Sequence, residues 1–227
     1  MGERAYGQFC GLVRAAELLG ERWALLIVRD LLVGPRRFTD LHRGLPRIPT
    51  NVLTARLKEL EAAGIVRRRA RSEPPRGVVY ELTDHGRGLE DIVLSLGRWG
   101  SSLLDVPRPG EIVTVDSMIM ALRSTFDPAA ARGVRARVEL RIGEVVIHAI
   151  IGRGRLAVGP GPLPDADLVI ESGPVIHALM AGRVTTADAV RDGDVRITGD
   201  PDLFACFVAA FPIPAGPEAS PLPTGPA

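Results

Sequence analysis

With 227 residues the chain is long enough for one large domain or two small ones, each with its own core. Cys10 and Cys206 are too few for a disulfide framework, no apolar run is long and charge-free enough to span a bilayer, and no secretory leader is legible, so a reduced, cytoplasmic protein with no membrane partner is expected. The net charge of +1 hides an asymmetry: residues 1–104 hold 17 basic and 12 acidic side chains, residues 105–227 hold 11 and 15, which points to a basic module that meets an anion, followed by an acidic one that does not.

Taken in chain order, Leu12, Ala15, Ala16 and Leu19 repeat at helical spacing and predict a first helix. Residues 23–33 are apolar on most sides and read as a buried helix ended by Gly34-Pro35. Residues 38–45 read as a short helix capped from Thr39. Residues 51–63 read as a fourth helix, with Leu53, Leu57 and Leu60 turned inward and Gly64 as its stop. Residues 65–71 and 78–83 read as strands around the turn Glu73-Pro74-Pro75-Arg76-Gly77. Residues 84–104 read as one long helix with Leu89, Ile92, Val93, Leu96 and Trp99 on its apolar side.

The stiff segment 106–110, Val106-Pro107-Arg108-Pro109-Gly110, reads as a linker. Beyond it, residues 116–126 look helical. Residues 134–141 alternate strictly, with Val134, Ala136, Val138 and Leu140 facing one way, as a half-buried strand does. Further strands are expected at 144–151, 155–158, 167–171 and 195–198, and helices at 175–180, 186–191 and 202–211. The expected fold class is α+β: domain 1–105, linker 106–110, domain 111–211, and a disordered Pro-, Ala- and Gly-rich tail at 212–227.

The order of parts in the first module suits a duplex. If Leu53 centres the buried stripe, a helical step of about 100° per residue turns Asn51, Thr54, Ala55 and Lys58 outward, with Thr50 at the helix start. A helix in the major groove must be slim there and must offer donors, acceptors or a methyl to base edges. These five are the candidate base-edge residues. Arg36, Arg37, Thr39, Arg47 and Arg56 surround them and are the candidate backbone contacts. Arg69, Arg71 and Arg76 lie on the hairpin, where an arginine can follow the minor groove. Lys58 is the only lysine in the chain. Arginine forks suit phosphates and guanine edges, yet a GC-rich genome gives the same bias, so placement carries the argument. A solvated helix face and a charged edge strand are the plainer account of the same residues.

The combination Ala16-Glu-Leu-Leu-Gly-Glu-Arg-Trp23, Leu26-Ile-Val-Arg-Asp-Leu-Leu32, Gly34-Pro-Arg-Arg-Phe38, Leu53-Thr-Ala-Arg-Leu-Lys-Glu-Leu-Glu61, Gly64-Ile-Val66 and Tyr80-Glu-Leu-Thr83 resembles the HxlR family of bacterial winged helix-turn-helix transcription regulators. The resemblance implies a homodimer built on the first and last helices of the module, a pseudo-palindromic double-stranded operator and, as a working expectation, a repressor. Some relatives use an early cysteine as a thiol sensor, which makes Cys10 the candidate redox residue. Here Cys10 is followed by Gly11 rather than the proline common in the family, and its neighbours Phe9 and Leu12 predict a buried thiol. Pro49-Thr50 stands where the family often has Ser-Pro.

The second module, through its strand meander, Pro164-Asp165-Ala166-Asp167-Leu168-Val-Ile170, Leu179-Met-Ala-Gly182 and Gly193-Asp-Val-Arg-Ile-Thr-Gly-Asp200, resembles the sterol carrier protein type 2-like domain family. The resemblance implies a five-stranded sheet covered by helices around an apolar cavity. Candidate walls on the first helix and strands are Ile119, Leu122, Val138, Leu140, Ile147 and Ala149. Those on the later helices are Ile176, Leu179, Met180, Phe204, Phe207 and Val208. The same residues would fill an ordinary core equally well. His148 and His177 have no partner at ligand spacing, so no metal or other cofactor is expected. Asp165 and Asp167 read as the opening of a strand rather than an acid/base pair, and no enzyme is expected. The reading is a dimeric regulator, responsive to an apolar small molecule in its second domain. The alternative is a hydrophobic-ligand carrier whose winged helix serves dimerisation only.

Overall fold

The computed structural model describes residues 6–71, 77–105 and 107–216. Two compact units are present, residues 1–93 and 94–227. The first contains α1 (Gly11–Leu19), α2 (Ala24–Val33), α3 (Phe38–Gly44), α4 (Thr50–Ala62), β1 (Val66–Arg71), β2 (Gly77–Leu82) and α5 (Asp84–Arg87). Helix α6 (Glu90–Ser101) starts in the first unit and ends in the second.

The first core is α2, whose Ala24, Ile27, Val28, Leu31 and Leu32 are buried, enclosed by Leu41 of α3, Leu53, Leu57 and Leu60 of α4, and Val66, Val79 and Leu82 of the hairpin. Burial of side chains this size contributes roughly 1.5–3 kcal/mol each. Asp30 is fully buried within α2 and ion-paired to Arg29 at 2.7 Å, which offsets the cost of desolvating its charge. Trp23 precedes α2 with a left-handed φ of 83°, and the Arg22 guanidinium lies 5.0 Å from its ring centroid, a cation–π contact.

Two local expectations change. Thr39 does not cap α3. Arg37 holds the N-cap position, and the Asp40 carboxylate accepts the Arg37 backbone N–H at 3.1 Å. An anion in the first turn also suits the helix dipole. The single helix expected at 84–104 is broken into α5 and α6. Thr83 caps α5, its Oγ1 accepting the Gly86 N–H at 3.0 Å. A Cβ on Gly86 would collide with the Ile65 carbonyl, so α5 is pressed against the start of the hairpin, and the turn at Gly88 and Leu89 separates it from α6. The hairpin gains a short third member: Arg36 and Tyr80 exchange backbone hydrogen bonds of 3.0 and 2.7 Å.

The second unit contains α7 (Val115–Thr125), β3 (Ala136–Ile142), β4 (Val145–Gly152), β5 (Arg155–Pro160), β6 (Leu168–Ser172), α8 (Val175–Met180), α9 (Thr186–Arg191), β7 (Val195–Gly199) and α10 (Pro201–Ala209). Its five-stranded sheet runs in the order β5-β4-β3-β6-β7; β3 and β6 are parallel and every other pair is antiparallel. Val138 pairs with Ala149 and Leu168, and Leu140 with Ile147 and Ile170, which places these buried side chains on one face, with α7, α8 and α10 supplying the rest of the core. Phe211 packs its ring 4.8 Å from Phe207 and 5.6 Å from Phe126.

The second half of α6 is held to this unit. Arg98 donates to the carbonyls of Ser124 and Phe126 at 2.8 Å each, satisfying the open end of α7. His177 of α8 lies 3.0 Å from the Ser101 carbonyl, and Arg183 bonds Asp105 at 2.8 Å. The division between units therefore falls inside α6, ahead of the segment 106–110. Of the expected tail, residues 217–227 lie outside the described residues.

Candidate nucleic-acid interface

Helix α4 exposes Thr50, Asn51, Thr54, Ala55 and Lys58 as one stripe, opposite Leu53, Leu57 and Leu60. The stripe is small at its centre and ends on the single lysine. Its polar groups are partly committed. Thr54 Oγ1 donates to the Thr50 carbonyl at 2.8 Å, leaving lone pairs free to accept from a base amino group. Thr50 Oγ1 lies 3.4 Å from His42 Nε2.

The flanking cations divide by environment. Arg47 is exposed in the turn before α4 and Thr39 is exposed on α3. Arg36 and Arg37 are half-buried, Arg36 because its backbone pairs with Tyr80. Arg56 is not presented as the sequence suggests. Its guanidinium bonds Glu21 at 2.9 Å and also Glu59, which ties α4 to the segment before α2 and leaves the side chain 17% exposed. The reason is a partner 35 residues away in the chain.

On the hairpin, Arg67 and Arg69 share one carboxylate, Glu81, at 2.8 and 2.9 Å. Glu81 is buried, and the hydrogen bond from Arg69, with that from Arg67, holds its carboxyl below the ordinary range despite the opposing effect of burial. Arg68 pairs with Glu61 at 3.3 Å. Arg71 is exposed and makes no ion pair among the described residues. Arg76 lies outside the described residues. Sequence reasoning missed Arg43, an exposed basic side chain on α3, and the role of Glu81; the period-2 spacing of Arg67, Arg69 and Arg71 was the available signal for a shared carboxylate.

Cys10 is exposed, contrary to the burial expected from its neighbours, and Phe9 and Leu12 are themselves open to solvent. It occupies the N-cap of α1, where the backbone N–H groups of Val13 and Leu12 hold the thiol below its usual value. Exposed apolar side chains collect on α1, with Leu12 77% exposed, and along α6, where Ile92, Leu96 and Trp99 follow at helical spacing and Trp99 is 63% exposed. In the second unit Ile119, Leu122, Val138, Leu140, Ile147, Ala149, Ile176, Leu179, Phe204, Phe207 and Val208 are all buried in the helix-covered core, and Met180 is half-buried at its margin. Among the described residues no cluster of three His, Cys, Asp or Glu could hold a metal ion, and no helix is long and apolar enough to cross a membrane.

A two-helix turn, a slim polar stripe on the second helix and an arginine-bearing hairpin define a helix-turn-helix module with a basic wing. Residues 18–107 match the HxlR-like helix-turn-helix family. YvaP of Bacillus subtilis (strain 168), an uncharacterized HTH-type transcriptional regulator, is 39% identical over 92 residues, which span 40% of this chain and 85% of that protein. YodB of the same organism, an HTH-type transcriptional regulator, is 37% identical over 99 residues, 44% of this chain and 86% of its own. Among solved structures, the oxidized form of the redox regulator HypR is 38% identical with a TM-score of 0.40, over 43% of this chain and all of that one. The chain belongs to the HxlR-like helix-turn-helix family. The family match ends at residue 107, so it leaves most of the second unit uncovered.

Proposed function

We propose that this chain is a homodimeric transcription regulator that reads a pseudo-palindromic duplex through α4 and responds to an apolar small molecule through its second unit. The observation that carries the reading is the stripe Thr50, Asn51, Thr54, Ala55 and Lys58. It is fully presented on a helix whose opposite face is locked into the core. Base edges in the major groove call for donors and acceptors on a slim helix. In this reading Asn51, Thr54, Ala55 and Lys58 meet bases beside Thr50 at the helix start. Arg36, Arg37, Thr39 and Arg47 meet phosphates, Arg56 supports α4 from behind, and Arg69, Arg71 and Arg76 serve the wing. Apolar side chains on α1 and α6 supply the contact between copies, burying area that would otherwise face water.

The sterol-carrier-like identity of the second unit is supported by its helix-covered five-stranded sheet. Helix α8 offers a route from ligand to DNA. Its Ile176 and Leu179 face the core, while His177, between them in sequence, meets the end of α6. A ligand that favours one packing of α8 would bias α6, and DNA affinity would change by the ligand's differential binding to the two states.

The test is fluorescence anisotropy on the intergenic DNA beside the chain's own gene, against a scrambled duplex, at two salt concentrations. Phosphate contacts predict a steep fall in affinity with salt. Asn51→Ala is expected to weaken the cognate duplex by about 1–3 kcal/mol and to leave the scrambled one unchanged. Equal, weak binding to both duplexes would show that this DNA holds no operator and would turn attention to the second unit and the carrier alternative.

A further inference from the structure

The helix-free face of the second unit's sheet carries a depression of about 390 Å³ where β3 enters beside the β4–β5 turn. Its floor is apolar and bare: Ile150 is 36% exposed, and Gly152 has no atom within 4 Å of where a Cβ would stand. Three guanidinium groups surround it, Arg135, Arg137 and Arg153, against one carboxylate, Asp167.

One carboxylate against three guanidinium groups leaves the rim with an excess of positive charge. One of the Asp167 oxygens accepts the Arg137 backbone N–H at 2.8 Å. The Arg137 guanidinium is held by two carbonyls, Asp165 at 3.2 Å and Pro164 at 3.0 Å, which fix its position without cancelling its charge. Arg135 and Arg153 make no ion pair among the described residues. Arg153 sits in the left-handed region at φ 54°, followed by Gly154 at φ 68°. That is the two-residue hairpin turn in which Asn-Gly is the undemanding choice. A guanidinium there is held at a conformational cost. All this stands in the half of the chain whose own net charge is negative.

We propose that this depression is a binding site for a small organic anion with an apolar body. The arginines would take its carboxylate or phosphate, and Ile150 with the bare strand at Gly152 would take its hydrocarbon part. Arginine forks match both anionic groups, and the volume lies within the range of small-ligand sites. The site is distinct from the helix-covered core, and the proposal does not depend on DNA binding.

The experiment is calorimetric titration of the full chain with decanoate, decanol and inorganic phosphate. Decanoate is expected to bind saturably at one site per chain, at least tenfold more tightly than decanol or phosphate. The pair Arg135→Ala/Arg153→Asn is expected to weaken decanoate at least tenfold, since asparagine keeps the left-handed turn. Gly152→Ile, which fills the floor at an ordinary strand position, is expected to do the same with an unchanged melting temperature. Decanoate binding that is absent, or equal in wild type and both variants, would overturn the site. Decanol binding as tightly as decanoate would overturn the role of the arginines, and phosphate binding as tightly would overturn the apolar half.

Discussion

Glu81 shows how much one side chain decides about the wing. It is 6% exposed and holds Arg67 and Arg69 on the solvent side of the hairpin. Its carboxyl is held below the ordinary value of about 4.3. A carboxylate whose folded pKa is depressed contributes stability that is present above the unfolded value and lost as pH falls through the folded one. Glu81→Gln is therefore expected to cost about 1 kcal/mol at pH 7. The difference in urea midpoint between the two proteins should shrink steadily below pH 4.5, and a difference undiminished at lower pH would contradict this account. The same change releases two guanidiniums, so affinity for scrambled DNA is expected to rise. The outward stripe of α4 was legible because a helix's faces follow from its own repeat. Arg56 was not, because Glu21 meets it only in the folded chain. Cys10 differs from its expectation for a related reason: Phe9 and Leu12 are apolar, yet none of the described residues covers them.

At the scale of elements, most helices and strands were readable to within a residue or two, and the break between α5 and α6 was not. Apolar spacing runs on through 84–104, but Gly86 is needed where α5 passes the Ile65 carbonyl. Gly86→Ala is expected to destabilise the chain by about 1–3 kcal/mol, read from chemical denaturation, through overpacking rather than lost helix propensity. Arg98→Ala removes a side chain that closes two carbonyls at the end of α7 and is expected to cost about 1–3 kcal/mol. If α6 carries the ligand signal, that variant should also reduce any effect of ligand on DNA affinity. Strand β3 departs from its pattern at one place. Strict alternation puts Glu139 outward, yet it is 3% exposed, because the segment leading to β6 crosses above it and the Leu163 N–H donates to its carboxylate at 2.8 Å. That bond, with Arg141 at 2.6 Å, holds the Glu139 carboxyl below its usual range.

At the scale of the whole molecule, α1 and α6 each carry an exposed apolar stripe. The homodimer reading predicts that Ile92→Glu, on α6, raises the dimer dissociation constant by roughly 30-fold or more, the equivalent of about 2 kcal/mol for a residue central to an interface. Sedimentation velocity would read this, and an unchanged dimer with a native circular dichroism spectrum would move the interface elsewhere. By itself the sequence determined most of the kinds and order of elements, the inward faces of α4 and β3, and the split between a basic first half and an acidic second half. Periodicity and composition are properties of local stretches, and local sterics and solvation act on them directly. Only the tertiary structure decided which arginines are tied to carboxylates, that α6 belongs to both units, and that Arg135, Arg137 and Arg153 line one depression with Ile150 and Gly152. Those outcomes depend on strand register and on partners distant in the chain, which no single element's pattern contains.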